Sequence, residues 1–172
     1  MNQITSRLVN ILNIELKAYD KLLAILNEEQ ETLVHWRIGD LQDVVQKKDR
    51  QLEQVTRLEK KRMDFLGSIH RDLQKMGLSA GDDEGTVKLS DIIAMVNPEE
   101  KHTLRELHED LSIMVKEVTT TNYKNQVLLK RSLEIVNANL NIYAQSEKLA
   151  NTYNAAGDIN ASVERHLVDG AI

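Results

Sequence analysis

Three stretches of the chain repeat apolar residues at alternating steps of three and four, and helix is the element that gathers such a pattern onto one face. The first runs through Val9, Leu12, Leu16, Tyr19, Leu23, Leu26 and Leu33, broadened by Ile4, Leu8, Ile11 and Leu22. The second carries Leu41, Val45, Leu52, Val55, Leu66, Ile69, Leu73 and Met76, flanked by Val44, Leu58 and Phe65. In the third, Leu104, Leu107, Leu111, Met114 and Val118 lead through Asn122 and Asn125 to Leu129, Val136, Leu140 and Tyr143. The expected fold class is all-α: a long antiparallel helical hairpin plus a third long helix, forming an elongated three-helix bundle or coiled coil. A short connecting helix and a flexible or conditionally helical C-terminal tail complete it.

Glycine and proline set the boundaries. Gly39 is suited to a left-handed helix end and Asp40 to capping the helix that follows. Gly77, Gly81 and Gly85 mark a loop, and a short helix capped by Ser90 is expected after it. Asn97, Pro98 and Glu100 then supply a cap, a proline at the first helical position and a capping-box acid. Helices are expected at about 3–36, 40–76, 90–96 and 98–150, so residues 1–150 form the bundle and 151–172 the tail.

The second stripe is interrupted by Lys48, Glu59 and Arg62. A tight turn near Ile38 and Gly39 places residues whose numbers sum to about 77 opposite each other. Glu29 then faces Lys48, and Glu15 faces Arg62. Two such pairs would fix the register of leucine stripes that could otherwise slide. Asn122 and Asn125, three apart on an inner face, require hydrogen bonds there. They read either as register-setting polar layers or as donors to an incoming segment.

The chain's 172 residues suit one domain, and a 41% hydrophobic content suits a core. A net charge of −5 argues against nucleic-acid binding, which needs a concentrated basic face. Cysteine is absent, which removes disulfides and thiolate metal sites. No apolar run is long enough for membrane insertion, and a soluble, cytoplasmic protein is expected. One Glu-x-x-His motif, Glu99 to His102, falls short of the two that a di-iron bundle uses. The acids between Gly77 and Gly85 lack calcium-loop spacing. With no nucleophile elbow, phosphate loop or paired catalytic acids, the reading is a binding protein, not an enzyme, with no metal and no cofactor.

Length sharpens this. At about 1.5 Å per residue the first two helices span roughly 50–55 Å and the third nearly 80 Å. Antiparallel to the second helix from a common end, the third runs out of partner near residue 135, leaving Val136, Leu140 and Tyr143 as a candidate contact face for a weak homodimer or another partner. A shifted start of the third helix would instead cover them. Beyond it, Tyr153 follows the stripe and Gly157 offers a hinge. Ile159, Val163 and Leu167 recur at steps of four, so residues 159–168 form a candidate amphipathic helix too short to be stable alone.

The stretch "ILNIELKAYDKLLAILNEEQETL", together with Leu41, Lys48, Leu52, Leu58, Glu59 and Arg62, resembles the flagellar export chaperone FlgN family. "NYKNQVLLKRSLEIV", with Asn122, Asn125, Leu128 and Leu129, is similar to the family's Asn-x-x-Asn and leucine pair. "TYNAAG", with Tyr153 and Gly157, is similar to its tyrosine and glycine past the last helix. The resemblance covers residues 4 to about 157. It implies a cytoplasmic chaperone that binds the hook-associated proteins FlgK and FlgL, prevents their premature assembly and delivers them to the export gate, with the C-terminal region making those contacts. A structural coiled-coil homo-oligomer, burying the same stripe as a scaffold or spacer, is the alternative.

Overall fold

In the computed structural model, which describes residues 3–75 and 88–150, four helices follow one another: α1 (Gln3–Val34), α2 (Ile38–Lys75), α3 (Leu89–Met95) and α4 (Pro98–Ala150). The described residues contain no strand, and the fold is the expected all-α one. The chain divides into two compact units, Met1–Leu128 and Leu129–Ile172. Residues 98–128 of α4 belong to the first unit and 129–150 to the second.

The inner face of α1 is Thr5, Leu8, Leu12, Glu15, Tyr19, Leu22, Leu26, Glu29 and Leu33, all buried and stepping by three and four without a break. Sequence reading centres this stripe differently. Val9, Leu16 and Leu23 sit at its edges, half-buried against the core, and Ile4 is exposed. The difference arises because two heptad positions are glutamates, which hydropathy alone assigns to solvent. On α2 the buried positions include Val44, Gln51, Val55, Leu66 and Ile69. Leu52, expected on the stripe, is 43% exposed. Gln51 takes the inward place because its Nε2 donates to the Ala18 carbonyl at 2.8 Å, and the one-carbon side chain of Ala18 leaves the backbone within reach.

The α1–α2 turn departs from the expectation based on Gly39. Arg37 N–H donates to the Thr32 carbonyl at 3.0 Å and Trp36 N–H to the Leu33 carbonyl at 3.3 Å, the two bonds of a Schellman motif. The left-handed residue of that motif is Trp36, at φ 54°. Gly39 lies inside the first turn of α2, with open space where a Cβ would stand. Asp40 is likewise within that turn rather than at the cap, favourably placed against the positive end of the helix dipole.

Helix α3 buries Leu89, Ile92 and Ile93 in the same core as α1 and α2. Its N-terminus is held by Asp91, whose carboxylate accepts from Lys88 N–H at 2.9 Å, so Lys88 and not Ser90 precedes the helix. Helix α4 starts as its sequence predicts: Asn97 Oδ1 accepts from Glu100 N–H at 3.0 Å, with Pro98 at the first helical position. The Glu100 side chain also accepts from Thr5 Oγ1 at 3.0 Å, tying the start of α4 to the start of α1. From there α4 runs parallel to α1, with residues offset by about 95 to 99 in contact: Thr5 with Glu100, Leu26 and Glu29 with Asn125. Leu104, Leu111 and Val118 are the buried apolar positions along this path. Leu8, Leu12 and Leu104 are wholly enclosed, and truncating any of them to alanine costs on the order of 2–5 kcal/mol.

Candidate functional site

Two features of the molecule do more than fill a core. The first is a set of buried polar contacts in unit 1. Arg62 Nε donates to Glu15 Oε2 at 2.9 Å and to Oε1 at 3.2 Å, with Glu15 completely enclosed. One turn further along, the Tyr19 hydroxyl donates to Glu59. Burial pushes the Glu15 carboxyl above its ordinary value, opposed by the Arg62 charge and hydrogen bonds. Burial also pushes the Tyr19 hydroxyl up, and the Glu59 carboxylate it donates to adds to the shift.

Nearer the hairpin turn, Lys48 Nζ donates to Glu29 Oε1, and Asn125 Nδ2 donates to Glu29 Oε2 at 2.9 Å. The same Nδ2 donates to the Leu26 carbonyl at 2.7 Å. One buried carboxylate therefore joins α1, α2 and α4. Asn125 Oδ1 is buried with no hydrogen-bond partner among the described residues, a cost of about 1–3 kcal/mol against the two bonds its amide makes. Asn122, the other asparagine singled out by the sequence, is only half-buried. That Asn125 and Glu29 belong to a single layer follows from the α1–α4 register, which the sequence alone does not display.

The second feature lies in unit 2. Leu129, Leu133, Val136, Leu140 and Tyr143 step along α4 by four, three, four and three, and every one is exposed, Tyr143 at 72%. Three of the five are residues that the sequence nominated; Leu133 completes the heptad spacing and was missed, although it is visible in the same count. Ile135 and Ile142, one heptad apart, are exposed as well. Solvent-facing apolar rows of this extent are uncommon on soluble monomers and mark interaction surfaces. The remaining nominated residues, Tyr153, Gly157, Ile159, Val163 and Leu167, lie outside the described residues.

Among the described residues no three His, Cys, Asp or Glu side chains gather as metal ligands. No described helix is long and apolar enough to cross a membrane. The buried contacts of unit 1 tie α1, α2 and α4 to one another, and the row on unit 2 presents apolar side chains to solvent.

A family model described as "FlgN protein" matches residues 1–161 of the chain. Comparison with curated proteins and with solved structures finds no match.

Proposed function

The chain belongs to the FlgN protein family of flagellar export chaperones, and from that premise we propose that its clients are the hook-associated, hook–filament junction proteins FlgK and FlgL. In this reading it acts in the cytoplasm, masks terminal helices of the client that would otherwise pair early, and delivers the client to the flagellar type III export gate. The observation that carries the proposal is the exposed row Leu129, Leu133, Val136, Leu140 and Tyr143. Its alternating spacing is that of a coiled-coil seam, so an amphipathic client helix can lay its own apolar face along it. Tyr153, Gly157, Ile159, Val163 and Leu167 would extend the surface, ordering against the client or the export gate. The paired Glu15–Arg62 and Glu29–Lys48, with Asn122 and Asn125, would hold the register of the helices of unit 1.

The same seam spacing supports a second reading, in which a further copy of the chain buries the row in a structural homo-oligomer. Sedimentation of the full chain with and without a hook–filament junction protein separates the two. The chaperone reading expects a weakly associating chain that moves into a heavier complex with the client. A stable oligomer that leaves the client behind would overturn it.

A further inference from the structure

Unit 1 carries a second unfilled surface, between the parallel helices α1 and α4. Two clefts of about 370 and 560 Å³ lie along this seam and share Asp110, and no residue of α2 lines either one. Leu16, Ile113 and Met114 give the smaller cleft an apolar floor, with Ile113 more than half exposed, and Leu107 is the apolar residue lining the larger, mostly polar one. Among the lining residues, Asp20, Glu106, Glu109 and Asp110 carry negative charge and Lys17 alone carries positive charge. His102 Nδ1, 3.1 Å from Glu106 Oε2, becomes a second cation only when protonated.

An apolar floor with this charge balance selects its occupant. An acidic or neutral helix would bring like charge, or nothing, to four carboxylates, whereas a basic amphipathic helix offers a matching apolar face and opposite rims. We propose that the α1–α4 groove docks a basic amphipathic helix of a partner protein, separately from the client row on unit 2. From Thr103 to Met114 the groove runs about 16 Å, enough for roughly three helical turns of the partner. With four apolar side chains and an exposed rim, the contact is salt-sensitive, because solvent-facing charges are screened within about 10 Å at 0.1 M salt. The inference does not depend on FlgK or FlgL being the clients.

The test uses the isotope-labelled full chain and two synthetic peptides of about 16 residues. One has leucines at helical spacing flanked by lysine and arginine; the other has every basic residue replaced by glutamate. NMR titration at low salt is expected to shift the signals of residues 13–20 and 103–114 saturably with the basic peptide and not with the acidic one. The double variant Asp20→Lys with Asp110→Lys, whose side chains are both exposed, is expected to lose about tenfold in affinity for the basic peptide and to gain binding of the acidic one. Equal response to both peptides overturns the proposal, as do shifts confined to residues 129–143. Groove shifts that track protein concentration without peptide would make a second copy the occupant and also overturn it. Should the double variant fail to fold, the selectivity of the unmodified chain between the two peptides still decides.

Discussion

Asn125 Nδ2 stands 2.9 Å from Glu29 Oε2, and the other oxygen of that carboxylate is taken by Lys48. A lone buried carboxylate is unfavourable by several kcal/mol, and here two further helices each supply a donor to it. Replacing one donor by an acid should be far worse than removing it. Asn125→Asp is expected to lose about 3 kcal/mol or more at neutral pH, part of it regained on acidification. Asn125→Leu, which removes the unpartnered Oδ1 but leaves Glu29 Oε2 without this donor, is expected to cost about 1–3 kcal/mol. Denaturant unfolding of the two variants checks the ordering; an Asn125→Leu protein no more stable than Asn125→Asp would contradict it.

The Glu15–Arg62 pair is a second measurable contact. Breaking it from one side leaves Glu15, with no solvent exposure, as an uncompensated charge, so Arg62→Ala is expected to cost about 3–5 kcal/mol. Exchanging the two charges, Glu15→Lys with Arg62→Glu, should recover part of that loss. A double-mutant cycle in which the exchange is as damaging as the sum of the single changes would remove the pairing as a register device.

Glu15 also gives a pH signature whose sign is opposite to ordinary acid denaturation. Its folded carboxyl is raised above the ordinary value of 4.5, so between that value and the raised one the folded chain holds a proton that the unfolded chain has released. Stability attributable to Glu15 therefore increases as pH falls through this window, by at most about 1.4 kcal/mol per pH unit, and is constant below 4.5. Glu15→Gln should flatten this contribution in a comparison of unfolding free energies at pH 4 to 8. Identical pH profiles for the two proteins would show that Glu15 does not titrate differently on folding.

Trp36 occupies the left-handed position of the α1–α2 turn, φ 54°, where a side chain carries a steric cost of about 1–2 kcal/mol and glycine carries none. Comparing Trp36→Gly with Trp36→Ala isolates the backbone term, since both lose the half-exposed ring. Glycine is expected to be the more stable by about 1 kcal/mol in thermal melts, even though alanine is the better residue in a helix.

The sequence showed most clearly what its apolar spacing encodes, three long helices and the row ending at Tyr143, and what its cap residues encode, the Asn97–Pro98 start of α4. It showed less well where polar residues replace apolar ones. Leu52 was placed on the core stripe, but it is exposed, and the neighbouring Gln51 is buried by its hydrogen bond to the Ala18 carbonyl. Likewise Gly39 was the obvious left-handed residue, yet hydrogen bonds from Trp36 and Arg37 close the turn three residues earlier. The opposition of Glu15 to Arg62 and of Glu29 to Lys48 follows from a short hairpin loop. A third helix antiparallel to α2, and so parallel to α1, was among the expected arrangements, but its register was not legible, because it rests on Thr5 with Glu100 and on Glu29 with Asn125, pairs 95 and 96 positions apart with no local signal linking them.

Light scattering on a mixture of the full chain and a hook–filament junction protein, repeated with Leu140→Asp and Tyr143→Ser combined, tests the central claim most directly. Both side chains are exposed, so the substitutions should leave melting unchanged. The account predicts a mass equal to the sum of chaperone and client for the unmodified chain, and separate components for the variant. A variant that still forms the complex, or an unmodified chain that remains a client-indifferent oligomer, would contradict it.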